Sequence, residues 1–304
     1  MAPHDQAHES RRWSDPTEKL GEDERRSLAD ATISEPRPRI EIDEALNNGW
    51  IEMWYQPKID LKRKSLAGAE ALARIRHPTY GVLPPGSFLP GVAEGSISRL
   101  TEYALIATLA HWTKFEEAGF NLQLAVNVPV SVLLNLPIPA LVDQNRPRSD
   151  RWPGIILEVT EDQIVREMKL AQGVANQLRA SGIKIAIDDF GAGYSSFSSL
   201  RELPFVELKL DHSFVRSCAT DAANAAICQT AIDLAHRFGS AAVAEGIKNA
   251  ADLQALMVMG CDFGQGVLIA PPMPMEQFLG LLRQRMSGAR PRGEAERPAV
   301  GRVA

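Results

Sequence analysis

The chain has 304 residues, 45% of them apolar, with a formal net charge of −5 and a pI near 5.8. That length suits one large domain or two small ones, and the acidic balance argues against a general nucleic-acid-binding surface, a duplex included. The three cysteines, Cys218, Cys228 and Cys261, show neither metal-ligand spacing nor a secretory context, which predicts reduced structural thiols in a cytoplasmic protein.

Residues 1–38 carry charge throughout and no apolar periodicity, so they read as a tail that is disordered or at best transiently helical. They lack the apolar stretch of a signal peptide, and no run in the chain is long enough to span a bilayer, so no membrane partner is expected. Residues 39–286 show no linker and read as one domain of about 250 residues, the usual size of an alternating strand–helix barrel. From Ser287 to residue 304 the composition returns to that of a second disordered tail.

Within the domain, apolar runs fall at 51–59, 66–75, 122–128, 154–161, 184–190, 205–211, 241–247 and 264–270. Helical segments lie between most of them, three closing on Gly119, Gly182 and Gly239, glycines suited to a left-handed C-cap. Eight short strands alternating with helices predict an α/β fold of the TIM-like (β/α)8 type. Only "DLKRKS" separates the first two runs, too little for a helical crossover. The barrel is therefore expected to have an antiparallel first strand.

Polar residues recur in these runs: Glu70 within the second, Asn127 ending the third, Glu158 late in the fourth, Asp188 with Asp189 ending the fifth, Lys209 with Asp211 ending the sixth, Glu245 ending the seventh and Gln265 opening the eighth. In a parallel barrel such ends gather on one rim. Carboxylates and carboxamides without histidine or cysteine suit hard cations such as Mg²⁺ or Mn²⁺. Neighbouring residues of a regular strand point to opposite faces, so Asp188 and Asp189 serve one site only if the strand bends at Asp189. Gly191 and Gly193 suit such a bend. Taken singly, each residue has a plainer reading: Asp189 as a helix cap, Asn127 as a turn residue, and Lys209 as the partner of Glu207 or Asp211. Their recurrence on successive strand ends favours a shared site.

The motifs "YQPKIDL" (55–61), "AEALAR" (69–74), "VNVPVSVLL" (126–134), "LEVTE" (157–161), "IDDFGAGYSS" (187–196), "ELKLD" (207–211), "AEGI" (244–247) and "GQGVLIAPPMP" (264–274) resemble, in order, those of the EAL family of cyclic di-GMP phosphodiesterases. The resemblance implies two divalent cations, Mg²⁺ or Mn²⁺, and hydrolysis of cyclic di-GMP to linear pGpG. By position, Glu70, Asn127, Glu158 and Asp188 would ligate metal, Asp188 bridging to a second ion near Asp189 and Glu245. Lys209 would meet the attacking water or phosphate, and Glu245 would be the general base. Gln56, Leu72, Arg74, Asp211 and Gln265 would hold the dinucleotide, and Glu161 would brace the loop after the fifth run. The family also implies a homodimer through that loop. Ile75, Lys248, Val267 and Ala192 depart from the usual pattern, Lys248 by reversing a charge near Glu245. A cyclic di-GMP receptor or interaction module that hydrolyses little is the competing reading. An unrelated Mg²⁺-dependent barrel lyase or aldolase would leave the motif series unexplained.

Overall fold

A computed structural model of the chain describes residues 40–166, 177–191 and 203–288. Its strands are β1 (Ile51–Asp60), β2 (Ser65–His77), β3 (Gly81–Leu83), β4 (Gln123–Asn127), β5 (Ile155–Thr160), β6 (Ile183–Phe190), β7 (Glu207–Leu210), β8 (Ala241–Ala244), β9 (Phe263–Gly264) and β10 (Met273–Pro274). Eight of them close a TIM-like barrel in the order β1-β2-β4-β5-β6-β7-β8-β9, with β9 pairing back to β1. Each step from β2 to β9 is parallel, and β1 runs antiparallel to both its neighbours. The short turn after β1 dictates this, because a hairpin is the only connection it can make.

Helices Glu94–Glu117, Ala222–Arg237 and Met275–Gly288 pack on the outside of the barrel. Gly119, Gly182 and Gly239 take φ of 89°, 71° and 72°, the left-handed closures expected of them. Outward strand residues such as Leu124, Val126, Leu157, Ile185, Ile187 and Leu208 form the main core with Leu105, Leu109, Trp112, Phe115 and Phe278. A smaller core of Ile42, Ile51, Ile75, Leu83, Phe88 and Leu100 supports the far end of the β1–β2–β3 ribbon.

Several expected boundaries move. The eighth run pairs only at Phe263–Gly264; residues 265–270 turn. There the chain passes so close to Ile247 that a Cβ on Gly266 would lie 2.3 Å from the Ile247 amide nitrogen, so the turn admits only glycine at this point. Glu161 opens a helix (Glu161–Arg166) instead of ending a strand, and Asp211 and Glu245 fall just past theirs. β3 and β10, three and two residues long, are additions too short to leave a periodic signal. The C-terminal helix runs to Gly288, past the expected limit of 286. The tail expected over 1–38, and the rest of the other from 289 on, lie outside the described residues, as do 167–176 and 192–202. Among the described residues, no helix is long and apolar enough to cross a membrane.

Candidate metal centre

The inward faces of the strands stack in three tiers, each set by the period of two. The lowest tier pairs Lys58 on β1 with Glu207 on β7, Nζ lying 2.5 Å from both carboxylate oxygens, and Lys184 with Gln123 at 2.8 Å. Above it, Ala125, Ile156 and Ala186 form a small apolar layer. Two residues further along the same strands come Asn127, Glu158 and Asp188, joined by Glu70 on β2 and Lys209 on β7.

Lys209 is the hub of the upper tier. It is 1% exposed, and its Nζ lies 2.6 Å from Glu158 Oε2, 2.7 Å from Glu245 Oε1, 3.1 Å from Asp188 Oδ1 and 3.9 Å from Glu70 Oε2. The plainer expectation, a pair with Glu207 or Asp211, is thereby corrected: Glu207 belongs to Lys58 one tier below. Burial opposes charge on Lys209, but Glu158, Glu245, Glu70 and Asp188 outweigh it and hold the ammonium well above its usual pKa.

The carboxylates diverge. Burial pushes Glu70 up, yet Lys209 and donations from Asn127 Nδ2 (2.6 Å) and Gln265 Nε2 (2.5 Å) outweigh that and leave it below its usual range. Glu158, buried and facing Glu70, is held well above. Burial raises Glu245 to about 8 against the pull of Lys209, with Asp188 and Glu70 adding to the rise. Its Oε1 is buried and receives no well-directed hydrogen bond, although Lys209 is near.

The strand bends where both aspartates require it. Asp189 takes φ 54°, and the β6–β7 register slips between Ile187 and Phe190. The bend thus falls on Asp189 itself, with Gly191 (φ 97°) following; Gly193 and the rest of that loop lie outside the described residues. Aspartate is among the few side chains that enter this region at modest cost. One oxygen each of Asp188, Asp189 and Glu245 lie within 4.8 Å of one another. Partial desolvation, then the charges of Asp188 and Asp211, raise the solvent-exposed Asp189 to about 6. Gly246, at φ 64°, turns the chain directly after Glu245, and a Cβ there would come 2.6 Å from His212 Cβ. All-oxygen donors in close approach, one of them a buried oxygen without a directed donor, fit a hard divalent cation.

The remaining candidates ring this centre. Gln265 Nε2 also reaches Gln56 Oε1 at 3.1 Å, and Gln56 Nε2 donates to the Ala270 carbonyl at 3.2 Å. Glu161, 3% exposed, accepts the Gly191 amide at 2.9 Å where the loop begins. Asp211 caps the helix His212–Val215, accepting from the Ser213 amide and hydroxyl, with His212 Nδ1 3.0 Å away. Leu72 and Arg74 are half-buried on the face of β2 that carries Glu70. Trp54 and Lys58 share the inward phase of Gln56, a signal present in the sequence. Neither stands at the C-terminal end of a parallel strand, the criterion that singles out Asn127, Asp188 and Lys209, and neither belongs to the positions that the motif resemblance implies, as Gln56, Leu72 and Arg74 do.

A family model described as the EAL domain matches residues 39–272. The chain belongs to the EAL domain family. It is 36% identical over 245 residues to the cyclic di-GMP phosphodiesterase RocR of Pseudomonas aeruginosa, covering 79% of this chain and 62% of RocR. The solved MucR phosphodiesterase of the same organism, in complex with c-di-GMP, is 32% identical with a TM-score of 0.71, covering 78% of this chain and 97% of that one. Klebsiella pneumoniae BlrP1, solved as a manganese and cyclic di-GMP complex, is 26% identical with a TM-score of 0.64, covering 74% of this chain and 56% of BlrP1. The chain spans less than two thirds of the length of the curated relatives it matches.

The departures from the EAL pattern now have places. Ile75 is fully buried on the face of β2 opposite Arg74, packed in the smaller core, so that change concerns packing. Lys248 is exposed and makes no ion pair among the described residues, and Val267 is 55% exposed in the turn after Gly266. Ala192 lies outside the described residues.

Proposed function

We propose that this EAL domain hydrolyses cyclic di-GMP to linear pGpG with two divalent cations, Mg²⁺ or Mn²⁺. The observation that carries the reading is the acid-rich tier around Lys209: four carboxylates within 4 Å of one ammonium, brought in by β2, β5, β6 and the turn after β8. Such an excess of negative charge would repel a phosphodiester unless cations joined it.

Glu70, Asn127, Glu158 and Asp188 would hold one cation, and Asp188, shared with Asp189 and Glu245, the other. When bound, the cations supply Lewis acidity that activates a water and draws charge from the phosphoryl oxygens. Glu245 takes the proton of the attacking water as a new P–O bond forms. The P–O3′ bond breaks, leaving a 5′-phosphate on one guanosine, and the departing 3′-oxygen takes up a proton. Lys209 offsets charge on the phosphoryl group and keeps the acids in register. Gln56, Leu72, Arg74, Asp211 and Gln265 line the path of the dinucleotide, and Glu161 braces the loop after β6 through the Gly191 amide. A cytoplasmic homodimer joined through that loop completes the reading.

The test is to incubate the purified chain with cyclic di-GMP and Mg²⁺ or Mn²⁺ and to follow pGpG. Glu245→Ala is expected to lower kcat by a factor on the order of 10² to 10⁴ while cyclic di-GMP still binds. Tight binding without turnover by the native chain would replace the enzyme with a receptor. Absence of both would remove the substrate assignment, and light scattering of the native chain checks the dimer.

A further inference from the structure

Arg74 stands at the mouth of the site, in the field of Glu70 but without a carboxylate in ion-pair contact among the described residues. Lys209 is enclosed by four carboxylates, whereas Arg74 makes no ion pair among the described residues and directs one donor, Nη1, to the Ala73 carbonyl at 2.8 Å. The other guanidinium donors remain for a ligand. A long unpaired side chain samples many rotamers, so something must hold it for those donors to be in place.

The β1–β2 ribbon supplies that support. Glu52 stands directly across from Arg74 in the strand register, the position from which a carboxylate would normally capture it. Glu52 is instead engaged elsewhere: Arg76 Nε and Nη2 donate to its two oxygens at 2.9 and 2.8 Å, and Trp54 Nε1 donates to Oε1 at 2.6 Å. With its indole nitrogen fixed this way, Trp54 presents its ring to the Arg74 guanidinium, whose Cζ lies 5.6 Å from the ring centroid. Trp54, Gln56 and Lys58 alternate onto the barrel-inward face of β1, and Glu70, Leu72 and Arg74 onto that of β2. The contact therefore sits over the site. An aromatic face holds a guanidinium without neutralising it or using its in-plane donors, which a carboxylate would do.

We propose that Trp54, locked by the Arg76–Glu52 pair, is a positioning residue that keeps Arg74 pre-set to receive an anionic or carbonyl oxygen of the bound dinucleotide. The proposal rests on the substrate reading above. Removing the ring then weakens substrate capture and spares the chemistry, because the acid tier is untouched.

The experiment compares the full chain with Trp54→Leu, Trp54→Phe, Arg74→Gln and the double variant Trp54→Leu/Arg74→Gln. KM and kcat are measured for cyclic di-GMP with Mn²⁺, and Kd with Ca²⁺ in place of the catalytic metal. Trp54→Leu is expected to raise KM and Kd about 5- to 10-fold, within the range a cation–π contact supplies, with kcat changed less than about 2-fold. Trp54→Phe, which keeps an aromatic face, recovers most of the loss. In the Arg74→Gln background Trp54→Leu adds nothing, the coupling expected when one residue acts through the other. Unchanged KM and Kd in Trp54→Leu, phenylalanine no better than leucine, or full additivity with Arg74→Gln would overturn the positioning role. A native chain that neither binds nor hydrolyses cyclic di-GMP would instead overturn the substrate reading, and the proposal with it.

Discussion

The barrel contains two charged tiers built by the same alternation, and they differ in charge balance. The lower pairs Lys58 with Glu207, leaves the half-buried Lys184 to the neutral Gln123, and sets the Lys58 ammonium 5.5 Å from the Phe263 ring centroid, so it carries no excess of acid. The upper sets Lys209 against Glu158, Glu245, Asp188 and Glu70. A matched buried pair satisfies itself and asks for no ligand. An unmatched cluster holds carboxylates above their usual pKa, as Glu158 and Glu245 are held, and that stored repulsion is released when cations arrive.

The sharpest way to break this contrast is to remove each lysine's role in turn. Lys209→Met leaves the upper acids without a counterion and is expected to cost about 3–5 kcal/mol in the absence of divalent metal. Millimolar Mg²⁺ or Mn²⁺ should return part of that loss, read as denaturant midpoints with and without the ion. Glu207→Gln leaves Lys58 buried without a countercharge and should cost about 3 kcal/mol, with no extra response to metal. Equal metal rescue of both variants would erase the distinction between the tiers.

A smaller effect appears with pH. Glu245 is raised to about 8 and Asp189 to about 6 in the folded chain, whereas unfolded carboxyls titrate near 4. Between those values these two groups hold more protons in the folded state than in the unfolded one, so they make metal-free stability fall as pH rises from about 4 through about 8, against the opposite contribution of His111, whose pKa burial lowers. Divalent metal should flatten that slope by favouring the ionised form. Midpoints at about pH 5 and about pH 8, each with and without Mg²⁺, test the sign; a metal-free protein that gains stability over the same interval contradicts it. The smallest effect belongs to Lys248→Glu, which lies on the surface outside both tiers. It is expected to change stability by less than about 0.5 kcal/mol and kcat by less than 2-fold, the latter read in the pGpG assay.

Much of this arrangement is legible in the chain because period two is a strong signal. Glu70 stands within β2, Glu158 and Asp188 late in β5 and β6, all in phase with buried positions, and the back-to-back acids at 188–189 require a bend that the φ of Asp189 supplies. The lower tier is harder to read, since Lys58 and Glu207 are 149 residues apart and only barrel closure brings them together. β9 is obscured for another reason: an apolar run of seven resembles a strand, but the close pass of Gly266 against Ile247 is a tertiary fact. The inward phase of Trp54 follows from strand alternation once β1 is placed, yet its partnership with Arg74 depends on Glu52 being held by Arg76, a chain of contacts that spacing alone does not reveal.

The left-handed backbone at Asp189 also bears on how the domain can change over generations. Asparagine is the other common residue that tolerates that conformation, and a single nucleotide separates its codons from those of aspartate. Asp189→Asn would keep the bend and remove one charge. On the proposed metal reading, a lineage could therefore weaken the site in one step while the barrel and its mouth persist, whereas a β-branched residue at 189 would first have to undo the turn. Under the proposed function, the position offers a short evolutionary path from a domain that hydrolyses its ligand to one that only binds it.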